Sequence, residues 1–492
     1  MEIKTLAKNT VILASPKVLV FFVGIIKSKL IAVLLGTTGF GIVDQLTSMV
    51  NLLRQSTLSF MPDGMVKLIA KERADKFDKK VIADIIKTFM LMVIPIMILV
   101  MVLAFLFSDE LTKFILGDLK YKPYLLITLI ALPITFIGAS IGSLLKSFKE
   151  IKAIAMREIY VMLINFAIFV PLVYFYKVAG GVIHITLSFL VAMIVTIFMV
   201  RKNVIKKYGI SVHSIKTALF QKKYFKELLT FVSVGIIIGI FKVTENMVAR
   251  AIVVNDLGLD AIGTYAPIVK WQALFIGFIL PSIYMYLYPR LSEAKTNKEI
   301  NGVLNDVIRL ITFLTLPFII IGITTRQWII PLFYSEDFID AAIYLPYHFS
   351  FLLIAVWATI FEQLFAARNK LKIFLIFTIF IYSFSLLLIY IFVPKYGLYG
   401  YLLRFTLTPS LLLITYFIFW KKEINFKLKI ENFKIVFYSF LCVIILVLLK
   451  EYSDYVQFII GLVLIGAMII LLKKQERNFL YKKMMSILKV RK

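Results

Sequence analysis

Four polar side chains lie inside an apolar stretch, residues 228–254, that is long enough to cross a bilayer: Lys242, Glu245, Asn246 and Arg250. A helix turns by roughly 100° per residue, so their spacing places all four on one helical face. A charge at bilayer depth costs about 3 kcal/mol even on the mildest scale. The pattern therefore predicts that this face borders a wet, protein-lined cavity and forms one wall of a substrate site.

Other apolar stretches carry similar groups, and cations outnumber carboxylates at depth. The predicted cavity cations are Arg54, Lys242, Arg250, Lys17, Lys27 and Lys270, and the predicted cavity amides are Asn51, Gln55 and Asn246. Such a cavity favours an anion, and phosphate suits it because Arg offers a bidentate fork and Lys a mobile point charge. Arg54 and Lys242 are predicted to lie deepest.

The acidic residues Glu245, Asp44 and Asp63 allow two interpretations. They balance charge, with Glu245 neutralising Lys242 or Arg250 as an internal ion pair, or they titrate and couple the protein to a proton or sodium gradient. No Walker lysine follows a glycine-rich loop, and the three histidines share no metal-ligand spacing. We therefore expect no metal, no cofactor and no catalytic residues.

Composition predicts an all-α membrane protein. The chain has 492 residues, of which 61% are hydrophobic, and a mean hydropathy of +0.92, whereas soluble domains are about 45–50% apolar. At about 20 residues per span, the sequence predicts fourteen transmembrane helices. They cover approximately 11–35, 42–69, 86–107, 121–145, 156–176, 181–200, 228–254, 262–289, 307–333, 341–366, 371–393, 397–420, 433–450 and 455–472.

The net charge of +28 is distributed unevenly. Most Lys and Arg residues fall in alternate loops and in the C-terminal tail, while the opposite loops lean acidic. This is the positive-inside pattern, which predicts cytoplasmic termini and an uncleaved first span. The basic loops face anionic lipid, so nucleic acid is not needed as a partner.

The chain also repeats itself. LGTTGFGI at 35–42 matches LGLDAIGT at 257–264, at an offset of 222 residues. We predict an N-terminal lobe at 1–200, a cytoplasmic linker at 201–227, a C-terminal lobe at 228–420, and two further helices with a basic tail at 421–492. Each lobe has six helices, so the two keep the same orientation, with the substrate between them.

LGTTGFGIVDQ at 35–45, the segment 260–294 and PLFYSEDFIDA at 331–341 resemble Wzx-type flippases, including the O-antigen and lipid III translocases. These are polysaccharide biosynthesis proteins of the multidrug/oligosaccharidyl-lipid/polysaccharide (MOP) exporter superfamily. The resemblance implies a V-shaped, two-lobed bundle in the bacterial cytoplasmic membrane. It also implies alternating-access transport of undecaprenyl-diphosphate-linked oligosaccharide to the outer leaflet, with the head group in the cationic cavity. Membrane lipids, polysaccharide polymerase and chain-length proteins are the implied partners.

Three other functions stay open from the sequence. A lipid II flippase also needs a cationic cavity and fourteen spans. A drug or cation antiporter predicts a cavity dominated by acidic and aromatic residues, which the lysine excess disfavours. A membrane polysaccharide polymerase predicts a large outward loop with catalytic residues, whereas the longest outward loop here is 108–120.

Overall fold

The computed structural model describes residues 2–58, 61–75, 78–210, 212–368 and 370–472, with most of their side chains. Within these ranges every regular element is helical, which confirms the all-α class. The α-helices are α1 (Glu2–Leu58), α2 (Met61–Asp75), α3 (Lys79–Leu106), α4 (Ser108–Leu116), α5 (Lys122–Leu129), α6 (Ala131–Ser147), α7 (Ile151–Val200), α8 (Lys206–Tyr208), α9 (Val212–Thr217), α10 (Lys222–Leu257), α11 (Leu259–Glu293), α12 (Asn297–Thr324), α13 (Arg326–Phe333), α14 (Ala341–Ser350), α15 (Leu352–Ala367), α16 (Leu371–Tyr396), α17 (Leu398–Ile424), α18 (Ile430–Leu448) and α19 (Asp454–Met468).

Each of the fourteen predicted spans falls largely on these helices. By length and composition, nine helical stretches in the described ranges suffice to cross a membrane, or ten with the bent pair α14–α15. Two of the nine, in α1 and α7, contain a backbone break with a predicted span on each side. The chain is thus an integral membrane protein, while the number of crossings stays a prediction.

Local sequence explains where several helices begin. The Asp78 side chain caps α3 by accepting the Lys80 N–H at 2.8 Å. At α12, the Thr296 hydroxyl accepts the Glu299 N–H at 3.2 Å, while the Glu299 carboxylate accepts the Lys295 N–H at 2.8 Å. Such caps satisfy N–H groups that the first helical turn leaves without partners.

The repeat at offset 222 has a structural counterpart. Gly36 breaks α1 with φ 64° and ψ −172°, and its equivalent, Gly258, separates α10 from α11 with φ 87° and ψ 170°. A side chain disfavours this backbone region, so glycine is required at both positions. The two sequence repeats therefore share the same local bend.

A second pair of matching breaks, at offset 220, was not predicted. Lys177 breaks α7 with φ 50°, and Gly397 separates α16 from α17 with φ 57°. Three residues later, Gly180 and Gly400 lie so close to the carbonyl groups of Leu172 and Phe392, respectively, that neither has room for a Cβ. Sequence comparison missed this relation because one bend uses lysine and the other glycine.

The chain divides into two compact units. The first comprises Met1–Pro267, Phe333–Phe338 and Thr378–Tyr401, and the second comprises Ile268–Leu332, Ile339–Phe377 and Leu402–Lys492. In the first unit, α1 packs against α7 and α10, and α6 packs against α7. In the second, α12 packs against α15, α18 and α19. The lobe boundaries given above stay a prediction.

Candidate functional site

The packing of α1 against α7 places two arginines within electrostatic range of each other. Arg54 on α1 is half-buried, and its buried Nε has no hydrogen-bond partner in the described part of the chain. The guanidinium of Arg157 on α7 lies close enough to repel it. Arg157 donates from Nε to the Thr196 hydroxyl at 2.5 Å and forms an ion pair with Glu158. The Arg54–Arg157 pair therefore combines surplus positive charge with an unused donor.

Arg54 is a predicted cavity cation, whereas Arg157 was not predicted from the sequence. Arg157 opens the predicted fifth span beside Glu158, a position typical of an ion pair at the membrane interface. Only the packing of α1 on α7 places it near Arg54. Asn51, one turn before Arg54 on α1, is also half-buried.

Lys27 lies against an aromatic ring of α7. Its Nζ is 4.5 Å from the centroid of the Phe169 ring, which also packs edge-on against His184 at 5.0 Å. A cation–π contact of this kind contributes about 0.5–2 kcal/mol, more where water is excluded. The half-buried ammonium of Lys27 is thus held next to the ring.

Arg250 is buried in a polar network that joins α10 to α1. Its Nη2 lies 2.8 Å from Asp44 Oδ2, and its Nε donates to Gln45 Oε1 at 2.6 Å. Gln45, which sequence analysis did not select, donates in turn to the carbonyl of Ile115 at 3.0 Å. Asp44 therefore balances the charge of Arg250. From the sequence, Glu245 was the only acidic partner considered for Arg250. The proposed substrate and coupling roles of these residues stay predictions.

The remaining polar residues of α10 differ in exposure. Glu245 is 1% exposed and accepts a hydrogen bond from the Ser385 hydroxyl at 2.9 Å. Lys242 is exposed, and Asn246 is half-buried. The predicted polar face thus has a buried edge at Glu245, a buried edge at Arg250 and an exposed cation between them.

Lys270 is half-buried and belongs to the second unit. Two residues further on, Gln272 contacts the buried His348 ring nitrogen at 2.7 Å. The side chains of Lys17, Gln55 and Asp63, also predicted at the site, lie outside the described set. Within that set no group of His, Cys, Asp and Glu side chains fits a metal ion.

Long apolar helices, bent at repeat-related positions, define an integral membrane protein. The chain belongs to the polysaccharide biosynthesis protein family, which matches residues 6–295. No sequence among curated proteins matches it significantly.

Several solved structures share its fold. The lipid II flippase MurJ, in an inward closed conformation, is 16% identical with a TM-score of 0.72, over 93% of this chain and 97% of the other. An inward-facing multidrug resistance MATE transporter of the MOP superfamily is 13% identical with a TM-score of 0.68, over 85% and 98%. A MOP superfamily transporter from Pyrococcus furiosus is 12% identical with a TM-score of 0.62, over 85% and 96%. At these identities the likeness shows the MOP-transporter fold.

Proposed function

We propose that this protein is a Wzx-type flippase. It moves an undecaprenyl-diphosphate-linked oligosaccharide, such as an O-antigen repeat unit, from the cytoplasmic to the periplasmic leaflet of a bacterial cytoplasmic membrane. The observation that carries the proposal is the Arg54–Arg157 pair, where an unpartnered Nε and surplus positive charge lie within a membrane protein of this family.

A diphosphate matches the chemistry of this pair. Each phosphate offers several anionic oxygens, and arginine binds such oxygens through parallel N–H donors. Arg54 supplies the donor, while Arg157 is already oriented by Thr196 and Glu158. The prenyl tail stays in lipid while the head group occupies the cavity. Binding neutralises the repulsion between the guanidinium groups, and this favours closure around the head group in an alternating-access cycle.

The other predicted residues have supporting roles. Lys27 and Lys242 supply further positive charge for the diphosphate and sugars, with the amides of Asn51 and Asn246. The binding roles of Lys17, Gln55 and Lys270 stay predictions from the sequence. Glu245 is the foremost coupling candidate for a proton or sodium gradient because its carboxyl group is buried. Polysaccharide polymerase and chain-length proteins would act on the delivered product.

A lipid II flippase is the second candidate. The fold likeness to the lipid II flippase MurJ, over nearly the whole of both chains, favours it. Both cargoes carry a prenyl diphosphate, so the Arg54–Arg157 pair serves either, and the sugar contacts must discriminate between them.

The test uses purified protein in liposomes that carry one of two fluorescent lipids: undecaprenyl-diphosphate oligosaccharide or lipid II. A membrane-impermeant quencher measures how much lipid reaches each leaflet. Faster crossing of the oligosaccharide lipid supports the Wzx-type function, whereas faster crossing of lipid II supports the second candidate. If both lipids cross no faster with the protein than without it, the flippase proposal is contradicted. A MATE-type assay would then test whether the protein is a drug antiporter.

A further inference from the structure

An apolar cavity of about 450 Å³ lies within the second unit, whereas Arg54 and Arg157 belong to the first. Side chains of α12, α15, α17 and α18 line it, together with the segment 425–429 between α17 and α18. By length and composition, α12, α17 and α18 each suffice to cross a membrane, and α15 belongs to the bent pair α14–α15. An apolar cavity of about 150 Å³ is enough to bind benzene, so this one has room for a longer stretch of hydrocarbon chain.

The two lining side chains that carry polar atoms, Trp357 and Ser410, already use them in the protein. The Trp357 Nε1 donates to the Thr312 hydroxyl at 3.0 Å, and the Ser410 hydroxyl donates to the Thr406 carbonyl at 2.6 Å. The other lining side chains are hydrocarbon. A cavity of this kind stays dry, so a hydrocarbon is the ligand that fits it.

The cavity is continuous with the lipid-facing surface of α17. Ile414 and Ile418, one turn apart, both line the cavity and yet are 55% and 63% exposed. Phe417, between them, and Phe440 of α18 are also exposed. Since these residues lie in apolar helices that suffice to cross a membrane, their exposed faces meet lipid chains. A chain can therefore enter the cavity sideways from the bilayer.

The segment 425–429 closes one end of the cavity. Phe426 is 2% exposed and packs edge-on against Phe361 of α15 and Phe417 of α17, with ring centroids 5.3 and 5.7 Å apart. Leu428 also lines the cavity, whereas the side chains of Lys427 and Lys429 are exposed. The segment thus presents apolar groups to the cavity and ammonium groups to its surroundings.

Two asparagines of α12 fix this segment. Asn301 Oδ1 accepts the Lys427 N–H at 2.9 Å, and Asn305 Oδ1 accepts the Lys429 N–H at 2.8 Å. Asn305 also donates from Nδ2 to the Lys427 carbonyl at 2.9 Å. These bonds hold the backbone at both lysines, so the alternation of apolar and charged side chains is built into the fold.

The closed end of the cavity carries surplus positive charge. Residues 421–434 include five lysines and two glutamates. Lys429 lies 4.0 Å from Asp306, so part of its charge is already balanced. The charge pattern predicts this segment to be cytoplasmic, and basic residues there attract anionic lipid. A lipid whose tail fills the cavity would place its phosphate at this end.

We propose that this cavity binds an acyl chain of an anionic phospholipid, with the phosphate beside the basic segment 421–434. Lipid tails are as apolar as the cavity walls, so the hydrophobic effect does not draw a chain out of the bilayer. Selection comes from van der Waals packing against the rings of Trp357, Phe361 and Phe426 and from the attraction of the lysines to the head group. The bound chain fills the space between α17 and its neighbours and stabilises the second unit.

The test uses Trp357 as a reporter in the full chain, reconstituted in phosphatidylcholine vesicles. Its three companions, Trp271, Trp328 and Trp420, are replaced by phenylalanine. Bromine atoms on an acyl chain quench tryptophan fluorescence only at near contact, and Trp357 is 5% exposed, so bulk lipid quenches it weakly. We expect quenching by dibromo-phosphatidylglycerol to saturate, with a half-maximum at an about fivefold lower lipid fraction than for dibromo-phosphatidylcholine. If this background does not fold, the quenched signal that Trp357→Phe removes from the native chain gives the same measurement.

Two pairs of variants separate the tail from the head group. V436F fills the cavity from α18 and should abolish the saturable quenching, whereas V463F places the same bulk on the exposed face of α19 and should not. K427Q/K429Q should lower the preference for phosphatidylglycerol about fivefold. K202Q/K206Q, which removes two exposed charges of the predicted cytoplasmic linker, should leave it unchanged.

Three results would overturn the proposal. The first is quenching that rises in simple proportion to the brominated fraction, which indicates bulk lipid. The second is an equal response of V436F and V463F, or equal quenching by the two brominated lipids. The third is protection of the fluorescence by undecaprenyl phosphate but not by unlabelled phosphatidylglycerol, which would assign the cavity to a prenyl chain.

Discussion

Gly41 and Gly263 occupy equivalent positions in the two repeats, and each packs against the backbone of the other repeat. There is no room for a Cβ at Gly41 against the Leu259 carbonyl, or at Gly263 against the Thr37 carbonyl. Thr37 and Leu259 are themselves related by the offset of 222, so the backbone contact between the two repeats is symmetric. The Thr37 hydroxyl also donates to Asp260.

We predict that Gly41→Leu separates the two repeats at this backbone contact. In a Cys442→Ala background, cysteines at 37 and 260 should form a disulfide readily when glycine is present at 41, because the two side chains touch in the native chain. The Gly41→Leu substitution should slow crosslinking severalfold, as followed by gel mobility. Gly24→Leu is the control, because nothing lies within 4 Å of a Cβ at Gly24. Equal crosslinking in both leucine variants would contradict the close backbone contact at Gly41.

A second prediction concerns the bend at Lys177. A lysine at φ 50° and ψ −127° is strained, and its counterpart in the other repeat is Gly397. Lys177→Gly should therefore stabilise the protein by about 1 kcal/mol and raise the unfolding temperature. Ala167→Gly, at an exposed helical position of α7, should lower it by a similar amount. A lower unfolding temperature for Lys177→Gly would count against the bend.

The Arg250–Asp44 ion pair should show strong coupling. Their side chains are 9% and 14% exposed, so removing either partner leaves a poorly solvated charge and costs about 3–5 kcal/mol. Replacing both with leucine should cost much less than the sum of the single changes. A double-mutant cycle on thermal stability measures this coupling, and additive effects would mean that the pair contributes little.

The coupling role proposed for Glu245 makes a separate prediction. Glu245→Gln keeps an acceptor for the Ser385 hydroxyl but cannot lose a proton. We expect this variant to fold and to transport at a rate that no longer responds to an imposed proton gradient. Ser385→Ala, which retains the carboxyl group, should still respond. Proton coupling through Glu245 is excluded if Glu245→Gln keeps the native gradient dependence.

Residue patterns on α10 show how far sequence reasoning reaches. Helical spacing predicts one polar face. Around the helix axis, Glu245 lies about 60° to one side of Lys242 and Arg250 about 80° to the other, so the two lie at opposite edges of that face. The structure pairs these two edges with different neighbours, Ser385 and Asp44. Spacing within a single helix cannot select such partners, because they depend on how distant segments pack.

The same limit explains the other omissions. Gly36 and Gly258 could be matched in sequence because both repeats use glycine, whereas Lys177 and Gly397 share a bend without sharing a residue type. Arg157 reads as half of a local pair with Glu158 until α7 is packed against α1. Its proximity to Arg54 depends on the tertiary packing of the two helices.

The most direct measurement of the central proposal is leaflet crossing of undecaprenyl-diphosphate oligosaccharide by Arg54 and Arg157 variants in liposomes. Loss of a charged hydrogen bond costs about 1.5–3 kcal/mol, so Arg54→Ala and Arg157→Ala should each slow crossing about tenfold or more. Arg54→Lys, which keeps the charge but loses the fork, should retain part of the rate, and the exposed Lys298→Ala should retain all of it. Native crossing rates in a folded Arg54→Ala/Arg157→Ala double variant would contradict the assignment of the diphosphate to this pair.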